Sequence, residues 1–435
     1  MPVKPDQAGG FGAWLLVAVL MLAYAMSFID RQILSLLVAD LRSDLAIGDF
    51  EIGLLQGPAF GVFYALLGMP LGILADRINR IRLIAAGLFV WSAMTILGGF
   101  TTGFYSLLAT RMGVGMGEAA LVPAAVSLLA DRFPARERAL PLAVFTTGIS
   151  VGAGLALMAG GWLVAFAANG AQQLPLIGGI FVARAGWQSV LILAGLLGMP
   201  LVVLVLLLPE PARATSHDTS VGLGRFLLGH PKLFGPLLGG TALLYLFANA
   251  LSAWMPTLFI RRFGWNAAEV GQAMGLVILL AAFAGNLLSG TLARRLLRRG
   301  HASGALQVMG WGAALLVPFA VLGPLASSAA MLAGLLGGTY FALALCFGVA
   351  TTAFAAITPA ALRGRMVALY LLVGNLVGLG VGPPLVGFVT GLIPRHSNPV
   401  GLALAGVAAF AVLGGAALLR IALQRSDPVA NEFAE

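Results

Sequence analysis

The sequence predicts an all-α membrane protein with twelve transmembrane helices. Of its 435 residues, 60% are hydrophobic and 9% are charged, whereas about 25% of the residues of a soluble domain are charged. The apolar runs are long, and they do not alternate with polar residues as the strands of a transmembrane barrel do. The composition therefore excludes a soluble domain, and the pattern favours helices over a barrel.

Twelve apolar runs are long enough to cross a bilayer, for which about 20 residues suffice. The predicted spans are residues 12–38, 50–75, 81–102, 104–130, 139–166, 187–208, 234–260, 268–293, 303–326, 329–356, 364–392 and 400–423. Spans of this length predict tilted helices or helix ends that project beyond the hydrocarbon core.

Basic residues are distributed unequally between the connecting loops. If both termini lie on one side, eighteen of the 25 Lys and Arg residues are on that side and five on the other, and the remaining two, Arg31 and Arg111, lie within spans. The positive-inside rule then places both termini in the cytoplasm, and we expect a multi-pass protein of the plasma (inner) membrane. Topology accounts for the net charge of +9, which we therefore do not interpret as nucleic-acid binding.

The first span carries two adjacent charges, Asp30 and Arg31. A charge at bilayer depth costs about 2.5–3.5 kcal/mol on insertion scales, so each of the two needs a partner or water. Neighbouring residues of a helix diverge by about 100°, and the two side chains cannot both face one partner. We expect Asp30 to point toward Arg111 of the fourth span and Arg31 to lie over a polar cavity.

The fourth span carries the other two deep charges, Arg111 and Glu118. Their separation of seven residues places them on one face, about 10 Å apart along the helix axis. They are too far apart to form an ion pair unless both side chains extend toward each other, but they can share one water-filled groove. Gly113, Gly115 and Gly117 allow this helix to pack closely or to bend.

These four charges predict a polar cavity on a solute or proton pathway, because ionisable groups inside transmembrane bundles usually serve that role. Arg31 and Arg111 would bind an anionic group, while Asp30 and Glu118 would carry or sense a proton. If a solute drew an arginine away, the carboxylate beside it would bind a proton more readily. The structural alternative is a set of fixed ion pairs between helices.

The second span ends in the run GILADRINRIR at residues 72–82. Gly68 and Gly72 are four residues apart on one face and predict a close approach to another helix. Asp76 is expected at the membrane edge, where a carboxylate can face the N-terminus of a neighbouring helix. An ordinary positively charged loop is the alternative.

The polar segment 209–233 divides the twelve spans into six and six. We predict an N-terminal six-helix bundle over residues 1–208, a cytoplasmic linker over 209–233, and a C-terminal six-helix bundle with a short tail over 234–435. One constant offset along the chain aligns matching residues of the second span of each half, which favours duplication: Glu51 and Gly53 with Glu269 and Gly271, and Gly72, Leu74 and Ala75 with Gly290, Leu292 and Ala293.

The spans of the second half contain polar groups but no deep charge. Asn249, Trp254 and Tyr370 are candidates for substrate binding, although most large aromatic residues face core or lipid. A cavity with one charged and one apolar side suits a solute with an anionic head and an apolar body. Gly378, Gly382 and Pro383 in the eleventh span allow the helix to bend, as a gating hinge requires and as the resemblance described next also implies, and tight helix packing explains the glycines equally well.

Several runs resemble the spinster-like branch of the major facilitator superfamily. They are residues 30–34, 49–53, 63–66, 72–77, 113–119 and 131–134. The resemblance covers about residues 15–165 and implies the major facilitator fold with pseudo-symmetric 6+6 halves. Spinster-like transporters move amphipathic lipids such as lysophospholipids and sphingoid phosphates, in several cases with protons. Their acidic and basic positions in helices one and four correspond to Asp30, Arg31, Arg111 and Glu118.

The resemblance also implies a gating latch on the cytoplasmic side. Its residues are Gly72, Asp76, Arg77, Arg80 and Asp131. In the superfamily, the aspartate that corresponds to Asp76 meets the N-terminus of helix eleven in the outward-facing state. This sequence departs from the pattern at two positions, with Asn79 where glycine is usual and Ile81 where a basic residue is usual.

We therefore predict a proton-coupled secondary transporter that moves a lysolipid-like or sphingoid-phosphate-like anion by alternating access. The alternative is a small organic-anion or drug transporter of the same fold; a membrane enzyme or a lipid scramblase is the other class. Because no Ser/His/Asp, metal-ligand or phosphate-cradling pattern is present, we expect no enzymatic activity, no cofactor and no metal. The expected partners are the solute, protons and membrane lipids, with no nucleic acid, and the chain is expected to be a monomer.

Overall fold

The fold is that of a computed structural model, which describes residues 10–134, 137–175, 178–182, 184–211, 222–359, 362–394 and 398–426. The first nine residues, residues 212–221 of the predicted linker and most of the predicted C-terminal tail lie outside the described residues. The described part of the chain is built from α-helices joined by short turns and 3₁₀ segments.

Seventeen α-helices are found in these described ranges. They are α1 (Phe11–Leu36), α2 (Val38–Leu45), α3 (Asp49–Gln56), α4 (Pro58–Ala75), α5 (Arg80–Gly98), α6 (Phe104–Glu118), α7 (Leu121–Arg132), α8 (Ala139–Asn169), α9 (Gly186–Leu206), α10 (Leu223–Gly229), α11 (Pro231–Phe263), α12 (Ala267–Arg298), α13 (Gly304–Leu322), α14 (Ala329–Phe347), α15 (Ala350–Ala356), α16 (Arg363–Leu392) and α17 (Pro399–Leu423).

Twelve helical segments of the described chain are long and apolar enough to cross a membrane, which confirms the predicted number. The second span joins α3 and α4, the fourth joins α6 and α7, and the tenth joins α14 and α15. The predicted ends differ from the observed ones by a few residues, as in the first span, predicted at 12–38 and found at Phe11–Leu36. The predicted fold class is therefore correct.

The second and fourth spans are each interrupted next to a proline. Pro58 occupies the first position of α4, after Gly57 has left the helical conformation. In the fourth span, Pro123 has no N–H to donate to the carbonyl of Ala119, and its ring crowds that carbonyl. The interruption follows Glu118, the last residue of α6. The bend that the sequence suggested at the glycines thus lies after them, beside Glu118.

The chain packs as two compact units. The first comprises Met1–Ser216 and Trp265–Leu276, and the second comprises His217–Gly264 and Val277–Glu435. The start of α12 joins the first unit through Gly271, where a Cβ atom would collide with the carbonyl oxygen of Leu157 in α8. The predicted bundles and linker (1–208, 209–233 and 234–435) remain a prediction.

Close helix contacts in the first unit are made at glycines. A Cβ atom on Gly87 of α5 would lie 2.5 Å from the carbonyl oxygen of Gly117 in α6, and one on Gly152 of α8 would lie 2.8 Å from the Cα of Ala25 in α1. The expectation that the glycines of the fourth span permit close packing is therefore correct.

The same expectation was wrong at Gly68, where a Cβ atom would meet no heavy atom within 4 Å. At Gly72 a Cβ atom would make only an ordinary contact, 3.5 Å from the Cβ of Pro123. The spacing of these two glycines matches that of a packing face, but α4 does not approach its neighbour closely there. The rotation of α4 about its axis decides which of its faces meets a neighbour, and the spacing of the glycines does not specify that rotation.

The second unit is organised around α11, which packs against α16 and α17. A Cβ atom on Gly382 of α16 would lie 2.5 Å from the carbonyl oxygen of Leu246, and one on Gly240 would lie 2.9 Å from that of Gly415 in α17. These contacts support the packing explanation for the glycines of the eleventh span.

The internal repeat is visible in the way two helices begin. The carboxylate of Glu51 accepts from the backbone N–H of Gly48 over 3.1 Å, and that of Glu269 accepts from the N–H of Asn266 over 2.8 Å. Both pairs, and the first residues of α3 and α12, are related by the same offset that aligns the sequences of the two halves. The offset therefore relates equivalent structural positions.

The glycine contact between α5 and α6 should be essential for stability. We expect Gly87→Ala to lower the free energy of unfolding by about 1–3 kcal/mol, because the methyl group has no space in the backbone contact. Gly68→Ala is the matched control and should be neutral, or stabilising by up to about 1 kcal/mol through helix propensity. Equal unfolding curves for the two variants in detergent would contradict this assignment.

Candidate functional site

Arg31 of α1 forms an ion pair with Glu118 of α6 inside the first unit. Nη2 of Arg31 donates to Oε1 of Glu118, and the two side chains are 19% and 2% exposed. Glu118 is held at the end of α6, immediately before the interruption caused by Pro123. The pair brings together two distant parts of the chain and neutralises two of the four deep charges of the spans.

Three aromatic rings surround the guanidinium group of Arg31. Its Cζ lies 5.2 Å from the ring centroid of Phe28, 4.6 Å from that of Phe60 and 4.9 Å from that of Tyr64. Cation–π contacts at these distances are favourable and strengthen when water is excluded. These rings are not among the site residues predicted from the sequence, although Phe60 and Tyr64 are four residues apart and so share a face of α4.

The guanidinium group of Arg111 in α6 contacts the backbone of Asp30, the other acidic residue of the site. Its Nη2 donates to the carbonyl oxygen of Asp30 over 3.2 Å. Arg111 and Asp30 are 3% and 5% exposed. Two guanidinium atoms of Arg111, Nε and Nη1, have no hydrogen-bond partner among the described residues, and the same holds for Nε of Arg31, Oδ1 of Asp30 and Oε2 of Glu118.

The carboxyl group of Asp30 also has a neutral partner. The hydroxyl of Thr95 in α5 lies beside it, and the same hydroxyl donates to the carbonyl oxygen of Trp91 over 3.0 Å. A hydroxyl can donate one hydrogen bond and can also accept. Thr95 can therefore donate to an ionised Asp30, or accept from a protonated one while donating to Trp91.

The arrangement agrees in part with the predicted one. Asp30 and Arg31 do point to different partners, and Asp30 lies beside Arg111, as expected. The guanidinium group of Arg31 pairs with Glu118 and contacts the aromatic rings, and its position over a polar cavity stays a prediction. Of the two arginines, Arg111 is the one with two unpartnered donor atoms among the described residues.

A second cluster of charges lies where α5 begins. Arg80 is 1% exposed; its Nη1 donates to Asp131 and its Nε donates to Oε1 of Glu210 over 2.8 Å. Ser127 accepts from the same guanidinium group over 2.9 Å, and Glu210 also accepts from the backbone N–H of Ile81 over 3.0 Å. The structure thus brings the predicted latch residues Arg80 and Asp131 together and adds Glu210, which the sequence analysis did not select.

The other predicted latch residues lie at the end of α4. Gly72 is half-buried, Asp76 is the exposed C-cap residue that follows α4, and Arg77 is exposed. The departure at Asn79 has a local reason, because its side chain caps α5 by accepting from the N–H of Arg82 over 2.8 Å. The role of Asp76 as a latch stays a prediction.

The predicted binding residues of the second half lie within the second unit. Tyr370 of α16 is 3% exposed, and its hydroxyl lies 3.2 Å from that of Tyr245 in α11. Asn249 donates to the backbone carbonyl of Tyr245. Trp254 is fully buried, and its indole N–H donates to the carbonyl oxygen of Pro383 over 2.8 Å. Their proposed contact with a solute stays a prediction.

The predicted hinge residues lie in a continuous helix. α16 runs from Arg363 to Leu392 through Pro383 and its neighbour Pro384. Gly378 and Gly382 both face the backbone of α11. A gating role for Gly378, Gly382 and Pro383 stays a prediction.

Within the described part of the chain, no group of three or more His, Cys, Asp and Glu side chains could hold a metal ion. The charged side chains that are buried there all belong to the first unit. The candidate functional site is accordingly the group of Asp30, Arg31, Arg111 and Glu118, which we call the charge cluster.

Comparison with known proteins identifies the family. The family model of the Major Facilitator Superfamily matches residues 20–171 and 173–337. An MFS-type efflux pump from Mycolicibacterium smegmatis is 32% identical over 299 residues, which cover 68% of this chain and 65% of that protein. Protein spinster from Drosophila melanogaster is 26% identical over 422 residues, which cover 91% of this chain and 66% of that protein. The chain thus spans less than two thirds of the length of either relative.

The fold is similar to that of a bacterial homolog of the human lysosomal transporter spinster, solved in an inward-facing and unoccupied conformation. The TM-score is 0.80 with 24% sequence identity, and the match covers 98% of both chains. These relatives are transporters, so the prediction that the chain is not an enzyme is confirmed. The chain belongs to the Major Facilitator Superfamily and is one of its spinster-like members.

Proposed function

We propose that this protein is a proton-coupled secondary transporter of an amphipathic anion, of the lysolipid or sphingoid-phosphate type, that works by alternating access. The observation that carries the proposal is the charge cluster, in which Asp30, Arg111 and Glu118 are buried, Arg31 is largely buried, and five polar atoms of the four side chains lack partners in the described structure. Unpartnered buried charges are costly, and a function that uses them explains their presence.

Arg111 is the proposed first contact for the anionic group of the solute. Its Nε and Nη1 are available, and an arginine can bind a phosphate or carboxylate through two parallel hydrogen bonds. The rings of Phe28, Phe60 and Tyr64 lie beside the neighbouring arginine and would provide apolar surface next to the head group. A solute with a charged head and an apolar body fits this combination.

Arg31 is the proposed link between the solute and the proton. In the structure it neutralises Glu118. An anion that drew Arg31 toward itself would leave the buried Glu118 without its cation, and a proton would then replace that cation. Asp30 is suited to the same exchange, because the hydroxyl of Thr95 can pair with either of its protonation states.

Membership of the family supports a proposal for the wider arrangement. We propose that two six-helix halves rock about a site near the midplane, as in transporters with parallel repeats. Both termini would be cytoplasmic in the plasma membrane, and the chain would act as a monomer. The relative named as an efflux pump favours export, and it also keeps open the alternative of a drug or small organic-anion transporter.

Replacing Asp30 tests the coupling. We expect Asp30→Asn to abolish uptake driven by a proton gradient, because the amide cannot exchange a proton, while counterflow exchange of labelled solute continues. Both rates are measured in proteoliposomes. Asp40→Asn, at an exposed position of α2 outside the spans, is the control and should keep both. Proton-driven uptake that survives in Asp30→Asn would exclude Asp30 from coupling.

Replacing Arg111 tests the substrate class. We expect lysolipids to raise the Tm of the wild-type protein, and we expect Arg111→Ala to weaken their binding at least tenfold, because a charge-assisted hydrogen bond contributes about 1.5–3 kcal/mol. Stabilisation by small organic acids or drugs alone would overturn the lipid assignment in favour of the alternative. Unchanged lysolipid affinity in Arg111→Ala would show that Arg111 is structural.

The cluster around Arg80 is the proposed cytoplasmic latch. We expect Arg80→Gln to lower the free energy of unfolding by about 3–5 kcal/mol, because two partly buried carboxylates lose their shared cation, and to reduce flux measured below the Tm. Arg77→Gln at the exposed neighbouring position should change stability by less than about 0.5 kcal/mol. Wild-type stability in Arg80→Gln would show that the cluster does not hold this end of the unit together.

A further inference from the structure

The second unit contains a cavity that is separate from the charge cluster and from the residues proposed above. Its free volume is about 420 Å³, and its lining comes from α12, from the start of α13, and from α15 with the interruption before it. Most of the lining is apolar, with Asn286, Thr291 and Thr352 as polar members and Arg294 as the cation. Apolar walls with a few placed polar groups are typical of binding pockets of about 300–1,000 Å³.

An exposed apolar stripe on α12 leads into this cavity. Leu280, Phe283 and Leu287 are 62%, 63% and 62% exposed, and their spacing places them on one side of the helix. Leu287 also lines the cavity. From Leu280 to Arg294 is about 21 Å along the helix axis, which exceeds the roughly 15 Å depth of one leaflet of the hydrocarbon core. The path from Leu280 along the stripe and the cavity to Arg294 is therefore long enough for one acyl chain.

The end of α12 toward which the stripe runs is strongly basic. Arg294, Arg295, Arg298 and Arg299 lie close together at the end of α12, and Arg294 alone among them lines the cavity. None of the described residues that line it is acidic. An apolar track that ends at an arginine matches the shape and the charge of an anionic lipid, with the acyl chain along α12 and the phosphate at Arg294.

The internal repeat shows how this position differs from its counterpart. The offset that relates Gly72 to Gly290 also relates Asp76 to Arg294. The first half thus carries a carboxylate at the position where the second half carries a cation beside a cavity. At this position the first half supplies a carboxylate of its own. The second half supplies an arginine, which can bind an anion that is not part of the protein.

We propose that the cavity at Arg294 is a binding site for an anionic phospholipid of the surrounding membrane, and that the bound lipid stabilises the second unit. Basic pockets between transmembrane helices are known to bind acidic head groups. An arginine at a helix C-terminus also has a topological and a dipole role, but neither role requires a cavity beside it. The site is independent of the proposed transport site.

Two variants test the two parts of the site. Arg294→Gln removes the cation, and Gly290→Leu fills the cavity at a position where a Cβ atom would meet no heavy atom within 4 Å. The controls are Arg298→Gln, at the same helix end outside the lining, and Gly406→Leu on α17, where a Cβ atom is equally unobstructed. Each purified protein is titrated with phosphatidylglycerol and with phosphatidylcholine of the same acyl chains, and retained lipid and Tm are measured.

We expect phosphatidylglycerol to be retained and to raise the Tm more than phosphatidylcholine does. Arg294→Gln and Gly290→Leu should each weaken this binding by about fivefold, while Arg298→Gln, Gly406→Leu and Arg111→Ala should leave it unchanged. Equal losses in Arg294→Gln and Arg298→Gln, or equal binding of the two lipids, would overturn the site in favour of general surface attraction. Displacement of phosphatidylglycerol from the wild type by lysolipid, but not from Arg111→Ala, would overturn its independence from the transport site.

Discussion

The ion pair between Arg31 and Glu118 is the interaction on which the first unit depends. Either charge alone at bilayer depth would oppose insertion by about 2.5–3.5 kcal/mol, so α1 and α6 have to meet where the two side chains can touch. The interruption that follows Glu118 ends α6 at the pair, and the aromatic rings cover the guanidinium group from the side of α4. The end of α6 and the aromatic contacts thus both stabilise this ion pair.

Close backbone contacts make that meeting possible. α6 presents Gly113, Gly115 and Gly117 to its neighbours, and a Cβ atom at any of the three would collide with α4 or α5. In a membrane, helices associate through such van der Waals contacts rather than through the hydrophobic effect. The glycines therefore set the distance between helices, and this distance allows Arg111 to reach the backbone of Asp30.

The two units divide the chemistry between them. Among the described residues, buried charge belongs to the first unit, whereas the second buries tyrosine, tryptophan and amide groups that bond with each other or with the backbone. Both units repeat the same helix start, at Glu51 and at Glu269. Duplication accordingly supplied two similar frames, and the frames differ in the polar groups they carry, from the charge cluster to the exchange of Asp76 for Arg294.

The sequence by itself determined the twelve spans, their approximate ends, the four deep charges and the repeat, because hydropathy, helical spacing and insertion cost are local properties of the chain. Only the tertiary structure decided that Arg31 pairs with Glu118, that Phe60 and Tyr64 join the site, and that Glu210 completes the cluster at Arg80. These outcomes depend on the rotation of each helix about its axis and on the points where backbones touch. Gly68 shows the same limit, since its spacing matches a packing face and its surroundings leave it uncovered.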